Sequence, residues 1–207
     1  MEISTKSSEK SEFILLHSGM PPIFRELSFD GLTEVSKGLI SLCEKYIGEF
    51  PINKKPGLYL FSQIPGNAKS AIAAIILKRI VSLGKVKRKA SFISFPDLLN
   101  FLRQRYVYGR EFEPEVDYES IIQRSELLVF DDVGKQLTDK NLADYYFYIM
   151  NKLYEEKKSV IITSNFSLEE LRERFEVAPK VLDSVLSRIE AMCDIVKMTN
   201  RDYRVIQ

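Results

Sequence analysis

The most informative part of the chain is GLYLFSQIPGNAKSAIAAIILKRI, residues 57–80. It joins a short apolar run to a loop and then to a segment dense in Ala, Ile and Leu. The loop is close to the phosphate-binding pattern G-x-x-x-x-G-K-[ST], in which backbone N–H groups and the lysine hold phosphate. Lys69 and Ser70 fit this pattern, but Gln63 stands at its first glycine and Ala68 at its last. The stretch therefore predicts a strand, a degenerate phosphate loop and a helix in succession.

Short apolar runs alternate with helical patterns along the rest of the chain. Buried strands are predicted at 57–61, 90–95, 127–130 and 159–163. Helices are predicted at 34–50, 69–83, 97–109 and 138–156 and from about 167, and the end of the chain reads as a late helix with one or two short strands. Continuous apolar strands between helices are typical of a parallel sheet covered on both faces, so we expect an α/β fold.

Composition sets limits on the class of protein. The chain has 207 residues, 45% of them hydrophobic, which is enough for one sizeable core. Its 30 basic and 29 acidic residues nearly cancel, so net charge neither favours nor excludes a nucleic acid. No apolar stretch is long enough for a membrane span, and the polar start carries no secretory signal, so we expect a cytoplasmic protein. Cys43 and Cys193 are expected to be reduced thiols, and His17 is the only histidine, which argues against histidine-based catalysis.

The beginning of the chain differs in composition from the rest. Residues 1–17 are rich in Ser, Lys and Glu, so we expect a flexible N-terminal tail. The following segment, 18–32, contains Pro21 and Pro22 and is expected to form an extended arm. We expect residues 18–207 to form a single domain.

Polar residues follow two further predicted strands. Asp131 and Asp132 come directly after the strand at 127–130, and Asn165 follows the strand at 159–163. Ligands of open α/β folds bind beyond the carboxyl ends of the strands, where carboxylates can hold Mg²⁺ and orient an attacking water. Taken singly, the two aspartates could form a turn, and Asn165 or Ser167 could cap the next helix. Their order and spacing after the loop favour a nucleotide site.

These motifs resemble those of the AAA+ helicase loaders of bacterial and phage replication, DnaC and DnaI, and of the transposition protein IstB. The resemblance covers nearly the whole chain from Ser18. It is carried by the loop stretch above and by LLVFDDVGKQ, VIITSNFSLEEL, VLDSVLSRIEAMCDIVKM and NRDYRV. It implies an AAA+ P-loop NTPase in which a parallel sheet is flanked by helices, with little or no C-terminal lid domain.

The resemblance also implies a role for individual residues. The cofactors would be ATP or ADP with Mg²⁺. The nucleotide would be bound by Gly66, Asn67, Ala68, Lys69 and Ser70, and the metal by Ser70 and Asp131. The catalytic positions would be Asp132, Asn165, Arg188 as an arginine finger that reaches a neighbouring subunit, and Arg204. A finger of this kind implies a homo-oligomer, formed on binding ATP or helicase.

A candidate DNA-binding surface combines cations with an aromatic residue. Basic and aromatic side chains together suit phosphate contact and base stacking. The candidate residues are Lys87, Arg88, Arg103, Arg105 and Tyr106. The alternative is a solvated helix face whose tyrosine packs on the core.

Three functions agree with the sequence. The first is a loader, with weak ATPase activity, that engages a DnaB-like hexameric replicative helicase and single-stranded DNA, carried by a phage or mobile element. The second is an IstB-type transposition regulator that binds duplex DNA. The third is a catalytically weak or inactive AAA+ adaptor, because Gln63 and Ala68 replace glycines in the loop.

Overall fold

A parallel sheet lies at the centre of the molecule. The computed structural model describes residues 2–32, 35–52, 54–64, 66–108, 116–134, 140–174 and 179–199. Five strands are found within them: β1 (Gly57–Phe61), β2 (Ala90–Ser94), β3 (Leu127–Val133), β4 (Ser159–Ser164) and β5 (Cys193–Lys197). All neighbouring strands are parallel, in the order β2-β3-β4-β1-β5. The predicted α/β class and the four predicted strands are confirmed.

Helices cover both faces of this sheet. One face is packed by α1 (Glu2–Leu16), α2 (Pro22–Arg25), α3 (Lys37–Glu49) and α4 (Lys69–Ser82). The other is packed by α5 (Phe95–Tyr108), α6 (Tyr118–Arg124), α7 (Lys140–Glu155), α8 (Leu168–Arg174) and α9 (Pro179–Met192). None of the described helices is both long and apolar enough to cross a membrane. The described chain continues only to residue 199 after β5, and it contains no lid domain up to that point.

The two covered faces explain why the strands are apolar at every position. Side chains alternate between the faces of a strand, so in β3 Leu128 and Phe130 join one core while Leu127 and Val129 join the other. The helix after the loop, α4, is buried along most of its length, and Ile72 in it is fully buried. Each buried side chain of this size stabilises the fold by roughly 1.5–3 kcal/mol, which anchors the loop between β1 and α4.

The N-terminal region is helical where the sequence predicts a tail and an extended arm. Residues 2–16 form helix α1, in which Ile14 is buried and the Ser11 hydroxyl donates to the Val81 carbonyl at 3.0 Å. Apolar residues near the end of α1 pack against α4. The arm contains a helix after all, because Pro22 occupies the first turn of α2, where a helix needs no N–H from it.

Candidate nucleotide-binding site

The loop between β1 and α4 lies at the carboxyl edge of the sheet, the edge where the parallel strands end. Gly66 and Ala68 in it have φ angles of +74° and +67°. Glycine adopts this left-handed conformation freely, whereas an alanine there costs roughly 1–2 kcal/mol. Ala68 therefore adopts the conformation that glycine has in the motif, although its Cβ makes that conformation unfavourable. The N–H groups at the start of α4 follow directly and favour an anion.

The ammonium group of Lys69 lies over the loop. Lys69 is 8% exposed, and its Nζ donates to the Asn67 Oδ1 at 3.0 Å and to the carbonyls of Ser62 and Ile64 at 3.3 and 3.4 Å. Asn67 is fully buried, and its Nδ2 finds no hydrogen-bond acceptor among the described residues. A buried cation beside an unsatisfied buried donor fits a phosphate, because an anion would complete the hydrogen bonds of both groups.

One threonine on the neighbouring strand β4 contacts both aspartates of β3. The Thr163 hydroxyl donates to Asp131 Oδ1 at 2.6 Å and accepts from the backbone N–H of Asp132 at 2.9 Å. The pairing of β3 with β4 shifts register between Phe130 and Val133, and Asp132 has a φ of +66°. The backbone of β3 is therefore irregular at the two residues that carry the carboxylates. Left-handed backbone at a non-glycine residue costs free energy, and such residues cluster at active sites and ligand-binding sites.

Asp131 lies beside Ser70, the residue directly after Lys69. Burial raises the pKa of its carboxyl above the ordinary value, while the hydroxyls of Ser70 and Thr163, which donate to it, oppose that rise. The neighbouring Asp132 raises the pKa further, and Lys69 lowers it. A half-buried carboxylate next to a hydroxyl supplies the oxygen ligands that Mg²⁺ prefers, so Ser70 and Asp131 fit the metal that the motifs imply.

Asn165 points to the second carboxylate and does not cap the following helix. Its Nδ2 donates to Asp132 Oδ1 at 3.4 Å, a long contact. The cap is Ser167, whose Oγ accepts from the Glu170 N–H at 3.2 Å while Glu170 Oε2 accepts from the Ser167 N–H at 2.7 Å. This reciprocal arrangement is a capping box, so the amide of Asn165 is available to the site.

Gln63 turns away from the loop and contacts this cap. Its Nε2 donates to Glu170 Oε1, so the first position of the phosphate motif is tied to the helix that follows β4. The spacing of Ser167 and Glu170 in the sequence indicates a capping box and nothing more. The contact of Glu170 with Gln63 joins residues 107 positions apart, and it depends on β1 and β4 being neighbours in the sheet.

The structure does not bring Arg188 to the loop. Arg188 lies on α9 and contacts α7, where its Nε donates to Asn151 Oδ1 at 2.8 Å and its guanidinium lies 4.7 Å from the centre of the Phe147 ring. Its Nη1 also donates to the Ser184 carbonyl at 2.8 Å. Arg204 lies outside the described residues.

The predicted DNA-binding residues fall into two groups with acidic partners. Lys87 and Arg88 precede β2, and the Arg88 Nε lies 3.4 Å from a carboxylate oxygen of Glu126. Arg103 and Arg105 lie on α5, where Arg105 forms a 2.7 Å ion pair with Glu119. The side chain of Tyr106 lies outside the described part of the structure. The acidic partners reduce the field that Arg88 and Arg105 present to an anion.

This fold and site define the class of protein. A parallel sheet in the order β2-β3-β4-β1-β5, with a phosphate loop after β1 and carboxylates on β3, is an AAA+ P-loop NTPase fold. The DnaC helicase loader has the same fold, with a TM-score of 0.69 and 22% identity over 86% of this chain and 100% of that one. DnaI matches with a TM-score of 0.67 and 20% identity, over 87% of this chain and 95% of that one.

The chain belongs to the family of IstB-like ATP binding proteins, which it matches over residues 58–207. A curated relative, the putative ATP-binding protein of insertion sequence IS232 from Bacillus thuringiensis subsp. berliner, is 25% identical over 138 residues. The match covers 66% of this chain and 53% of the relative, so the chain spans about half the length of the relative that it matches. Family and fold together confirm the resemblance inferred from the sequence.

Proposed function

We propose that the protein is an ATP-regulated loader that engages a DnaB-like hexameric replicative helicase near single-stranded DNA. The proposal is supported by membership of the IstB-like ATP-binding family and by the fold shared with DnaC and DnaI. The observation that carries it is the convergence of Lys69, Ser70 and Asp131 at one edge of the sheet. We propose that residues 18–207 form the ATPase domain, against which α1 packs.

ATP would enter with its phosphates on the loop. The Lys69 ammonium would exchange its present contacts with Asn67 and the loop carbonyls for phosphate oxygens, and the N–H groups of Gly66 and Ala68 would line the same side. Mg²⁺ would be held by Ser70 and Asp131 and would supply charge neutralisation to the phosphates. Asp132 would orient the attacking water, and Asn165 would hold that carboxylate in place.

Hydrolysis is proposed to be slow. Ala68 adds a methyl group where the motif has glycine, and Asp132 is one methylene shorter than a glutamate. A slow reaction suits a switch, in which bound ATP sets the affinity for the partner and helicase contact resets it.

Assembly into a homo-oligomer is the further part of this proposal. Arg188 would leave Asn151 on α7 and reach the nucleotide of an adjoining subunit, and Arg204 would act within its own subunit. Stacking on Phe147 holds Arg188 in the single chain, so ATP or helicase binding would have to favour the released position.

Nucleotide titration of Lys69→Ala tests the site. With a fluorescent ATP analogue and Mg²⁺, we expect affinity to fall about 10- to 100-fold, because the variant lacks a charge-assisted hydrogen bond worth roughly 1.5–3 kcal/mol. Lys45→Ala is the control, since Lys45 is an exposed lysine on α3. Equal affinity of both variants and the wild type would overturn the site assignment. Co-purification with candidate helicases, with and without ATP, tests the loader role.

A second candidate function is favoured by the relative from an insertion sequence. An IstB-type regulator would bind duplex DNA and act with a transposase. Parallel titrations with single-stranded and duplex oligonucleotides separate the two, because the loader prefers the single strand. A third candidate, an inactive adaptor, requires that ATP hydrolysis remain undetectable even with helicase and single-stranded DNA present.

A further inference from the structure

A basic cleft lies at the amino edge of the sheet, the edge where the parallel strands begin. It has a volume of about 910 Å³ and is lined by the residues before β2, β3 and β4. We call it the amino-edge cleft and define it by its six cationic side chains: Lys85, Arg88, Lys89, Arg124, Lys157 and Lys158. The acidic side chains in its lining are Glu126 and Glu156. The nucleotide site is at the opposite edge, so the cleft is a separate surface.

Three of the six cations have structural partners. Lys85 Nζ donates to the carbonyls of Ile47 and Gly48 at the end of α3, at 2.8 and 2.6 Å. Lys158 Nζ donates to the Gln123 carbonyl at 2.6 Å, just before the end of α6. A cation at a helix C-terminus stabilises the helix by interacting with its dipole, whether or not a ligand binds. Arg88 is paired with Glu126. These three residues need no ligand to explain them.

The remaining three cations have no side-chain partner within the described chain, although Arg124 ends α6, where a cation also suits the helix dipole. Lys89, Arg124 and Lys157 form no ion pair with any residue in the part of the chain that the structure describes. Both acids of the cleft are already engaged, Glu126 by Arg88 and Glu156 by Lys158 at 3.5 Å. The cleft therefore carries an uncompensated positive charge, contributed by three separate segments of the chain.

Lys157 stands at a position that favours glycine. It follows α7 with a φ of +50°, and its N–H donates to the Tyr154 carbonyl at 3.2 Å. Glycine is the usual residue where a helix ends in this left-handed conformation. This chain has a lysine there instead, and that lysine lines the amino-edge cleft.

Building on the nucleic-acid partner of the proposed function, we propose that the amino-edge cleft binds the backbone phosphates of a nucleic-acid strand. Cations from separate segments can contact successive phosphates, and Arg124 can bind one phosphate with two hydrogen bonds. The aromatic residue of the lining, Phe50, is buried, so recognition runs through phosphates without base stacking. An acidic peptide is disfavoured because Pro51 alone offers exposed apolar surface in the described lining to hold its other side chains.

A charge-matched pair of triple variants tests this. The cleft variant combines Lys89→Gln, Arg124→Gln and Lys157→Gly, and the last change keeps the fold because glycine suits that backbone. The control combines Lys10→Gln, Lys45→Gln and Lys180→Gln, which removes the same charge from exposed helix surfaces. Fluorescence anisotropy with a labelled oligo-dT of about 20 nucleotides, longer than one binding site, gives affinity at several salt concentrations.

We expect the affinity of the cleft variant to fall about 10-fold or more, and its salt slope to decrease by about 1 for each phosphate that it no longer binds. The control variant should stay within about twofold of the wild type, and both should bind the fluorescent ATP analogue normally. An equal decrease in the two variants would overturn the cleft, as would displacement of the oligonucleotide by poly-glutamate as readily as by unlabelled DNA. A wild type that binds ATP but no oligonucleotide would refute the nucleic-acid part of the proposed function together with the cleft.

Discussion

The two edges of the sheet differ in how far their charged side chains are exposed to solvent. At the carboxyl edge, Lys69 is buried and Asp131 is half-buried, and each lies next to a residue with left-handed backbone, Ala68 or Asp132. At the amino edge, Arg124 and Lys157 are exposed cations whose positions are set only by the ends of helices. A buried site is pre-organised for one ligand geometry, whereas an open cleft attracts any chain of phosphates that fits its charge.

Ligand binding at the two edges should therefore depend on different properties of the chain: on backbone shape at the carboxyl edge and on side-chain charge at the amino edge. Substitutions that disturb the backbone should matter most at the carboxyl edge. Substitutions that remove charge without disturbing the backbone should matter most at the amino edge. Three changes at the carboxyl edge put this contrast to the test.

The largest expected effect is that of Gly134→Ala, just after β3. An added Cβ would lie 2.7 Å from a Leu171 methyl and 2.8 Å from the Phe166 ring, at a φ of +107°. We expect the free energy of unfolding to fall by about 2–4 kcal/mol, measured by urea denaturation, from steric overlap and backbone strain together. Gly38→Ala on α3, where nothing lies within 4 Å, should be neutral or stabilising. A Gly134→Ala protein as stable as the wild type would show that the carboxyl edge is not tightly packed.

A smaller effect of opposite sign is expected for Asp131→Asn. Burial raises the pKa of the Asp131 carboxyl, so the folded protein binds a proton there more tightly than the unfolded chain does. The wild type therefore loses stability as pH rises from about 4 through the folded-state pKa. Asparagine removes that loss, so the nucleotide-free variant should gain within the roughly 0.5–2 kcal/mol typical of stabilising substitutions.

Thermal unfolding as a function of pH measures this. The stability difference between Asp131→Asn and the wild type should be small near pH 3 and grow toward neutral pH. In the presence of Mg²⁺ and ATP the order should reverse, because the variant lacks a metal ligand. A wild type that remains the more stable protein at neutral pH without nucleotide would contradict the unfavourable burial of this carboxylate.

The smallest effect is expected for Ala68→Gly. Relief of roughly 1–2 kcal/mol of left-handed strain is partly offset by the roughly 0.5–1 kcal/mol entropic cost of glycine, which leaves a gain of about 0–1.5 kcal/mol. Lys157→Gly makes the matching change at the amino edge and should be similarly stabilising. The two should differ in binding: Ala68→Gly should strengthen nucleotide binding, whereas Lys157→Gly should weaken oligonucleotide binding only. Both can be compared by urea denaturation and anisotropy, and a loss of stability in either variant would mean that its backbone is not strained.

Much of the fold was predictable because its signals are local. The apolar run of β1, the loop and the dense helix α4 lie next to one another in sequence, and the Asp131–Asp132 pair directly follows the apolar part of β3. The N-terminal helix was missed because its polar composition hides one decisive residue, Ile14, whose burial depends on α4. The sequence does not predict the short helix α2, because proline breaks a helix interior, although it suits the first turn where Pro22 lies.

The four central strands, the longer helices between them, the phosphate loop and the polar residues at the ends of β3 and β4 follow from the sequence, since periodicity and motif spacing are properties of neighbouring residues. Four features required the folded chain: Thr163 bridges both aspartates, Gln63 contacts Glu170, Arg188 rests on α7, and cations before three strands share one cleft. These contacts join residues far apart in the chain. The contact of Arg188 exists because α9 packs against α7, and the other three exist because parallel strands bring their ends to the same two edges.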